Sequence, residues 1–148
     1  LKMCQKQIKH LETSIAELTE QFPQYIFTIP GIGPSTGASI MAEIGDVDNF
    51  KSSVKLIAFA GLDPKLKESG KYQGKTPISK RGSKYLRSAI WQAAMVATRV
   101  NPMFKKIYQD KRNKGKSHKY AVTAVANKMT KVIYSILKNN RPFKEQIV

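Results

Sequence analysis

At 148 residues and 41% apolar content, the chain can bury one hydrophobic core but not two full domains, so one globular unit with an appendage is expected. It has no apolar run of about 18 residues to cross a membrane, and its basic start lacks the apolar region and cleavage site of a signal peptide, which predicts a cytoplasmic protein. The formal charge of +16 is uneven: residues 1–63 hold five Lys/Arg and seven Asp/Glu, whereas residues 64–148 hold 21 and three, a half that repels itself unless a polyanion offsets it.

The chain opens with Leu1, Cys4, Ile8, Leu11, Ile15, Leu18 and Phe22, whose spacings alternate three and four. That is a heptad seam on a helix over 1–24, ended by Pro23, and it is met either by a second helix in a coiled coil or by the chain's own domain. Because the pattern starts within a helix, the chain is expected to be a piece of a longer protein. Cys4 is the single cysteine, which excludes an internal disulfide framework, and with two scattered histidines it gives no zinc-ligand spacing, so no metal site is expected.

Residues 25–148 carry the predicted domain. Ile29-Pro30-Gly31-Ile32-Gly33 makes a tight turn, and Pro34 or Ser35 opens a helix to Gly45, the shape of a helix-hairpin-helix unit. The amides of Gly31 and Gly33 at the positive end of that helix could hold one phosphate. The competing reading is a hairpin that only packs the core, since no Lys or Arg follows the turn while Glu43, Asp46 and Asp48 do.

Ser52 or Ser53 starts a short helix that Gly61 ends. From Asp63 to Ser79 there is no apolar period, only glycines, prolines and cations, so a long basic loop is predicted. Further helices run from Ser83 toward Val100, from Met103 to Asn113, and from Ser117 through Leu137. No alternating segment suits a strand, and the expected fold is an all-α, compact helical domain.

The loop holds the chemistry. Ser69-Gly70 pairs a hydroxyl with a residue that lets a substrate backbone come close, and Lys67, Lys71 and Lys75 surround it. Glu68, next to the serine, is a candidate proton acceptor. Ile78-Ser79-Lys80-Arg81-Gly82-Ser83-Lys84 then opens a helix, with Arg87 on the same face as Lys84, and cations at a helix N-terminus make a phosphate clamp. Lys105, Lys106, Lys111, Arg112, Lys114, Lys116 and Lys119 form a second, less patterned cluster suited to a general nucleic-acid surface. Tyr72 and Tyr85 are candidates for base stacking, with a place in the core as the equal alternative for Tyr85, and His10 and His118 are expected to be isolated and solvated.

GLDP (Gly61 to Pro64), the basic linker, Ser69-Gly70 and ISKRGSKYLR (Ile78 to Arg87) together resemble the C-terminal domain of the bridge-RNA-guided insertion-sequence transposases. IPGIGPSTGASIMAEIGD (Ile29 to Asp46) falls in the same order, and the resemblance covers about Ile29 to Phe143. It implies that Ser69 is the nucleophile that attacks a DNA phosphodiester and forms a phosphoserine link. It also implies an N-terminal DEDD domain of RNase H type that carries the divalent metal, so this chain holds no cofactor of its own and should be inactive alone. DNA, a guide RNA and a second copy of the chain, joined through the N-terminal helix, are the implied partners. The alternative is a non-catalytic helix-hairpin-helix module that grips nucleic acid through the same cations.

Overall fold

The computed structural model describes residues 2–20, 23–64 and 77–145. Six helices follow in order: α1 (Lys2–Thr19), α2 (Pro34–Ile44), α3 (Ser53–Phe59), α4 (Lys84–Val100), α5 (Pro102–Asn113) and α6 (His118–Asn139). Short 3-10 helices at Gln24–Thr28 and Val47–Asn49 complete the set, and the one β element among the described residues is an isolated Pro64–Ile78 bridge. The all-α expectation holds.

Local chemistry sets the helix starts. The side-chain oxygens of Ser83, Asn101 and Ser117 accept from the amides of Leu86, Phe104 and Tyr120, each satisfying a first-turn N–H. Such caps stabilise by about 1 kcal/mol each. Ser52 occupies the corresponding position before α3 without a side-chain cap bond. Pro102 stands at the first position of α5, where its missing N–H costs nothing, so that helix begins one residue earlier than its apolar pattern suggests.

The core forms around α4 and α6, which pack on each other; α6 also packs on α3 and α5, and α4 on α2 and α5. Val122, Val125, Met129, Ile133 and Ile136 recur at helical spacing along α6 and are buried. The facing side of α4 is Leu86, Ile90 and the small residues Ala89, Ala93, Ala94 and Ala97. Those alanines let the Gly31 turn come down on α4. A Cβ on Gly31 would collide with the Ala93 carbonyl oxygen and the Ala97 amide, and its φ of +92° is one that only glycine adopts freely.

Long-range hydrogen bonds tie down the end of the described chain. The Phe143 amide donates to Thr28 Oγ1 at 2.8 Å, and Asn101 Nδ2 donates to Glu145 Oε1 at 2.8 Å. The α1 helix differs from this body. It touches α2 and half-buries Ser14 and Ile15, yet Ile8, Leu11 and Leu18 remain 56%, 61% and 62% exposed. Three members of the heptad seam thus stay largely uncovered among the described residues.

Candidate nucleic-acid interface

The two chain ends that flank residues 65–76 meet in a closed neck. Ser79 N donates to the Asp63 carbonyl at 2.7 Å, the Ser79 hydroxyl donates to Asp63 Oδ1 at 2.6 Å, and Pro64 bridges Ile78. Ser79 is 9% exposed, so this charge-assisted bond is screened from water. Its Oγ also accepts from the Arg81 amide at 3.2 Å, which carries the chain from the neck into the turn before α4.

That turn is tightly held. Lys80 adopts φ +56°, a left-handed conformation that costs a non-glycine residue about 1–2 kcal/mol, and its amide donates to the Gly61 carbonyl at 3.1 Å. Gly82 has φ +138°, and a Cβ there would overlap the carbonyl of Phe59. The Ser83 amide donates to that same Phe59 carbonyl at 2.8 Å, locking the turn to the end of α3. The side chains of Lys80, Arg81 and Lys84 stay exposed around it.

The predicted residues therefore divide. Lys80, Arg81 and Lys84 are brought together at the α4 N-terminus beside the neck. Arg87 is half-buried and donates through Nη1 to the Ala60 carbonyl at 3.0 Å, so part of its fork closes α3. Gly82 is a close-approach position, which its place in a basic motif did not reveal. Ser69, Gly70, Lys67, Lys71 and Lys75, with Glu68 and Tyr72, lie outside the described residues. Tyr85 is 64% exposed rather than core, with Lys84 Nζ 4.9 Å from its ring centroid.

At the other expected phosphate turn, Gly31 packs on α4, whereas Gly33 is exposed with nothing within 4 Å of a Cβ built on it. The acids after the turn have their own partners. Glu43 accepts from the Ser83 hydroxyl at the start of α4, Asp46 accepts from the Asp48 amide, and Asp48 pairs with Lys138. The hydrogen bond to Asp48 raises the Lys138 pKa, while partial burial, and secondly Lys131, lowers that of Lys128; both lysines belong to α6. Because Ser83 and Glu43 already occupy the positive end of α4, a phosphate there would be held mainly by the lysine and arginine side chains. A hydroxyl-lined concavity of about 220 Å³ separates the first turns of α2 and α4, bordered by Ser35, Thr36, Ser39, Tyr85, Ser88 and Gln92.

The second basic cluster is more organised than its sequence suggests. Arg112 Nη1 donates to the Lys116 carbonyl at 2.9 Å, and Lys116 lies over the Tyr120 ring. His118 is exposed but not isolated: its Nδ1 is 2.8 Å from the Tyr108 hydroxyl. Among the described residues no group of three or more His, Cys, Asp or Glu could hold a metal ion, and no helix is long and apolar enough to cross a membrane.

Fold and site together define an all-helical domain whose exposed Lys80, Arg81 and Lys84 stand beside the Asp63–Ser79 neck. Residues 24–109 match the family described as Transposase IS116/IS110/IS902, and the chain belongs to that family. It is 32% identical to the pilin gene-inverting protein of Moraxella bovis over 95% of this chain and 48% of that protein. It is 30% identical to the IS900 42 kDa protein of Mycobacterium paratuberculosis, over 91% of this chain and 36% of that one. Similarity to the transposase for IS1111A of Coxiella burnetii is 32% over 82% and 34%. The chain thus spans about half the length, or less, of these relatives.

Proposed function

We propose that the chain is the DNA-handling and strand-attacking domain of a transposase-recombinase. Ser69 Oγ attacks a backbone phosphorus and forms a phosphoserine bond. The bond from phosphorus to the leaving strand's sugar oxygen breaks, that oxygen takes up a proton, and the serine proton passes to a base, for which Glu68 is the candidate. The phosphoester bond energy is kept in the protein–DNA link, so rejoining needs no ATP. Lys80, Arg81 and Lys84 hold the flanking phosphates and offset the charge that develops in transfer.

The observation that supports this reading is the closed neck at Asp63–Ser79, which brings the two chain ends flanking residues 65–76 beside the turn where those three exposed cations gather. The metal-bearing DEDD domain and the guide RNA implied by the family resemblance belong to the same proposal. The described residues offer no donor set for such a metal, which the DEDD carboxylates would hold instead. The largely uncovered seam of α1 would join two copies: burying what remains exposed of Ile8, Leu11 and Leu18 would stabilise the assembly by about 1–2 kcal/mol each.

The test uses the full-length parent protein with its RNA and with donor and target DNA, comparing Ser69 with Ser69→Ala. A covalent protein–DNA adduct in the first and none in the second is the expected result. Equal adducts would move the nucleophile elsewhere. Recombination with no adduct in either would leave this chain as a non-catalytic nucleic-acid module.

A further inference from the structure

Opposite the buried face of α4, the residues Lys84, Ser88, Gln92, Met95 and Arg99 follow one another at spacings of four, four, three and four, and so form one stripe. All are exposed except half-buried Met95. The stripe is cationic at both ends and uncharged between. At 1.5 Å per residue, Lys84 and Arg99 are about 22 Å apart.

The near end of the stripe belongs to the turn beside the loop neck. The far end runs into a second concavity, of about 290 Å³, where α4 supplies Met95 and Arg99, α5 supplies Lys105 and Tyr108, and the first residue of α6 supplies His118. The Tyr108 ring meets the His118 ring edge-on with centroids 5.6 Å apart, and the hydrogen bond between them engages Nδ1. That bond fixes the imidazole as one wall and leaves Nε2 as its second polar atom. Arg99 and Lys105 are exposed, no carboxylate lines the concavity, and neither cation joins an ion pair among the described residues. Two cations drawn into a hollow without a counter-charge are an electrostatic cost that a bound anion removes.

We propose that this hollow between α4, α5 and α6 is a second DNA-backbone site. The strand that enters at Lys80, Arg81 and Lys84 runs along the α4 stripe and places a further phosphate against Arg99, Lys105 and His118. Arg99 offers a two-pronged guanidinium contact, Lys105 a point charge and His118, in the tautomer whose Nδ1 accepts from the Tyr108 hydroxyl, an Nε2 donor. Ser88 and Gln92 lie between, where they add hydrogen bonds without charge. Measured along a duplex axis, one strand carries a phosphate about every 3.4 Å, so the length of the stripe corresponds to roughly six nucleotides of axial rise. The site rests on the DNA-binding reading above, but uses none of the residues that reading relies on beyond the entry point.

The experiment measures binding of the chain to a labelled DNA duplex and to an RNA hairpin at several salt concentrations. Arg99→Gln with Lys105→Gln should weaken DNA binding by about tenfold or more and lower the slope of log K against log salt by about 0.9, the share of the one phosphate that the pair holds. Lys51→Gln with Lys55→Gln removes the same charge from exposed positions around α3 and should change affinity less than about twofold, while Arg99→Lys with Lys105→Arg should keep most of it. Equal losses from the two glutamine pairs would show an effect of overall charge alone and overturn the site, as would no loss from the first pair. A larger loss on the RNA hairpin than on the duplex would overturn its assignment to DNA. No binding of DNA by the unaltered chain would overturn the DNA-handling function itself, and the site with it.

Discussion

Two of the turns that precede helices, those at Gly31 and Gly82, are each built around a glycine at positive φ, and each carried the sequence marks of a phosphate site. At Gly31 the space a side chain would need is filled by the backbone of α4 at Ala93 and Ala97, and no cation follows in the first turn of α2. At Gly82 the space is filled by the Phe59 carbonyl, but Lys80, Arg81 and Lys84 stand exposed around it. Both glycines are therefore required by close packing of backbone on backbone. What separates the turns is charge placed where water reaches it. A glycine-rich turn before a helix is evidence of tight approach, and a phosphate is only one of the things that can approach.

The largest effect should come from adding one methyl group to either turn. Gly82→Ala and Gly31→Ala each combine a left-handed backbone penalty with a backbone overlap, for a destabilisation of about 2–5 kcal/mol by urea unfolding. A cost under about 1 kcal/mol at Gly31 would remove the packing account and reopen that turn as a ligand site. Replacing Lys80, Arg81 and Lys84 with alanine should leave the melting temperature nearly unchanged while lowering the salt slope of DNA binding by about 2.7. An unchanged slope would erase the distinction between the turns. The smallest effect belongs to Gly33→Ala: its φ is −90° and nothing lies within 4 Å, so only the poorer helix start counts. That should cost under about 1 kcal/mol, read by the same urea titration, and should not alter DNA binding.

The sequence was most legible where structure is local. Ser83 and Ser117 mark their helix starts through a hydroxyl and an amide three residues apart, and the apolar spacing of α6 names its own buried face. The short 3-10 helices at Gln24–Thr28 and Val47–Asn49 were not foreseen, because segments of five and three residues carry no period to detect. The site was legible as a charge pattern and illegible as a set of contacts. Ser79 with Asp63, Arg87 with Ala60 and Ser83 with Glu43 join residues 16, 27 and 40 positions apart, which only the packed fold brings together. Glu43 shows the difference: its charge suggested an obstacle to phosphate at α2, whereas its carboxylate serves the first turn of α4. His118, which looked solitary, has its partner ten residues upstream on the preceding helix.

The neck has a consequence for how such a domain can change. Residues 65–76 connect two chain ends that the fold already holds together by a bridge, a backbone bond and the Ser79–Asp63 bond. Lengthening a segment between fixed ends is entropically cheap, about 0.6 kcal/mol for each doubling. The two ends of that segment are therefore positioned by the helical body itself, through bonds that lie outside residues 65–76, so a change in the segment's length need not move Pro64 away from Ile78.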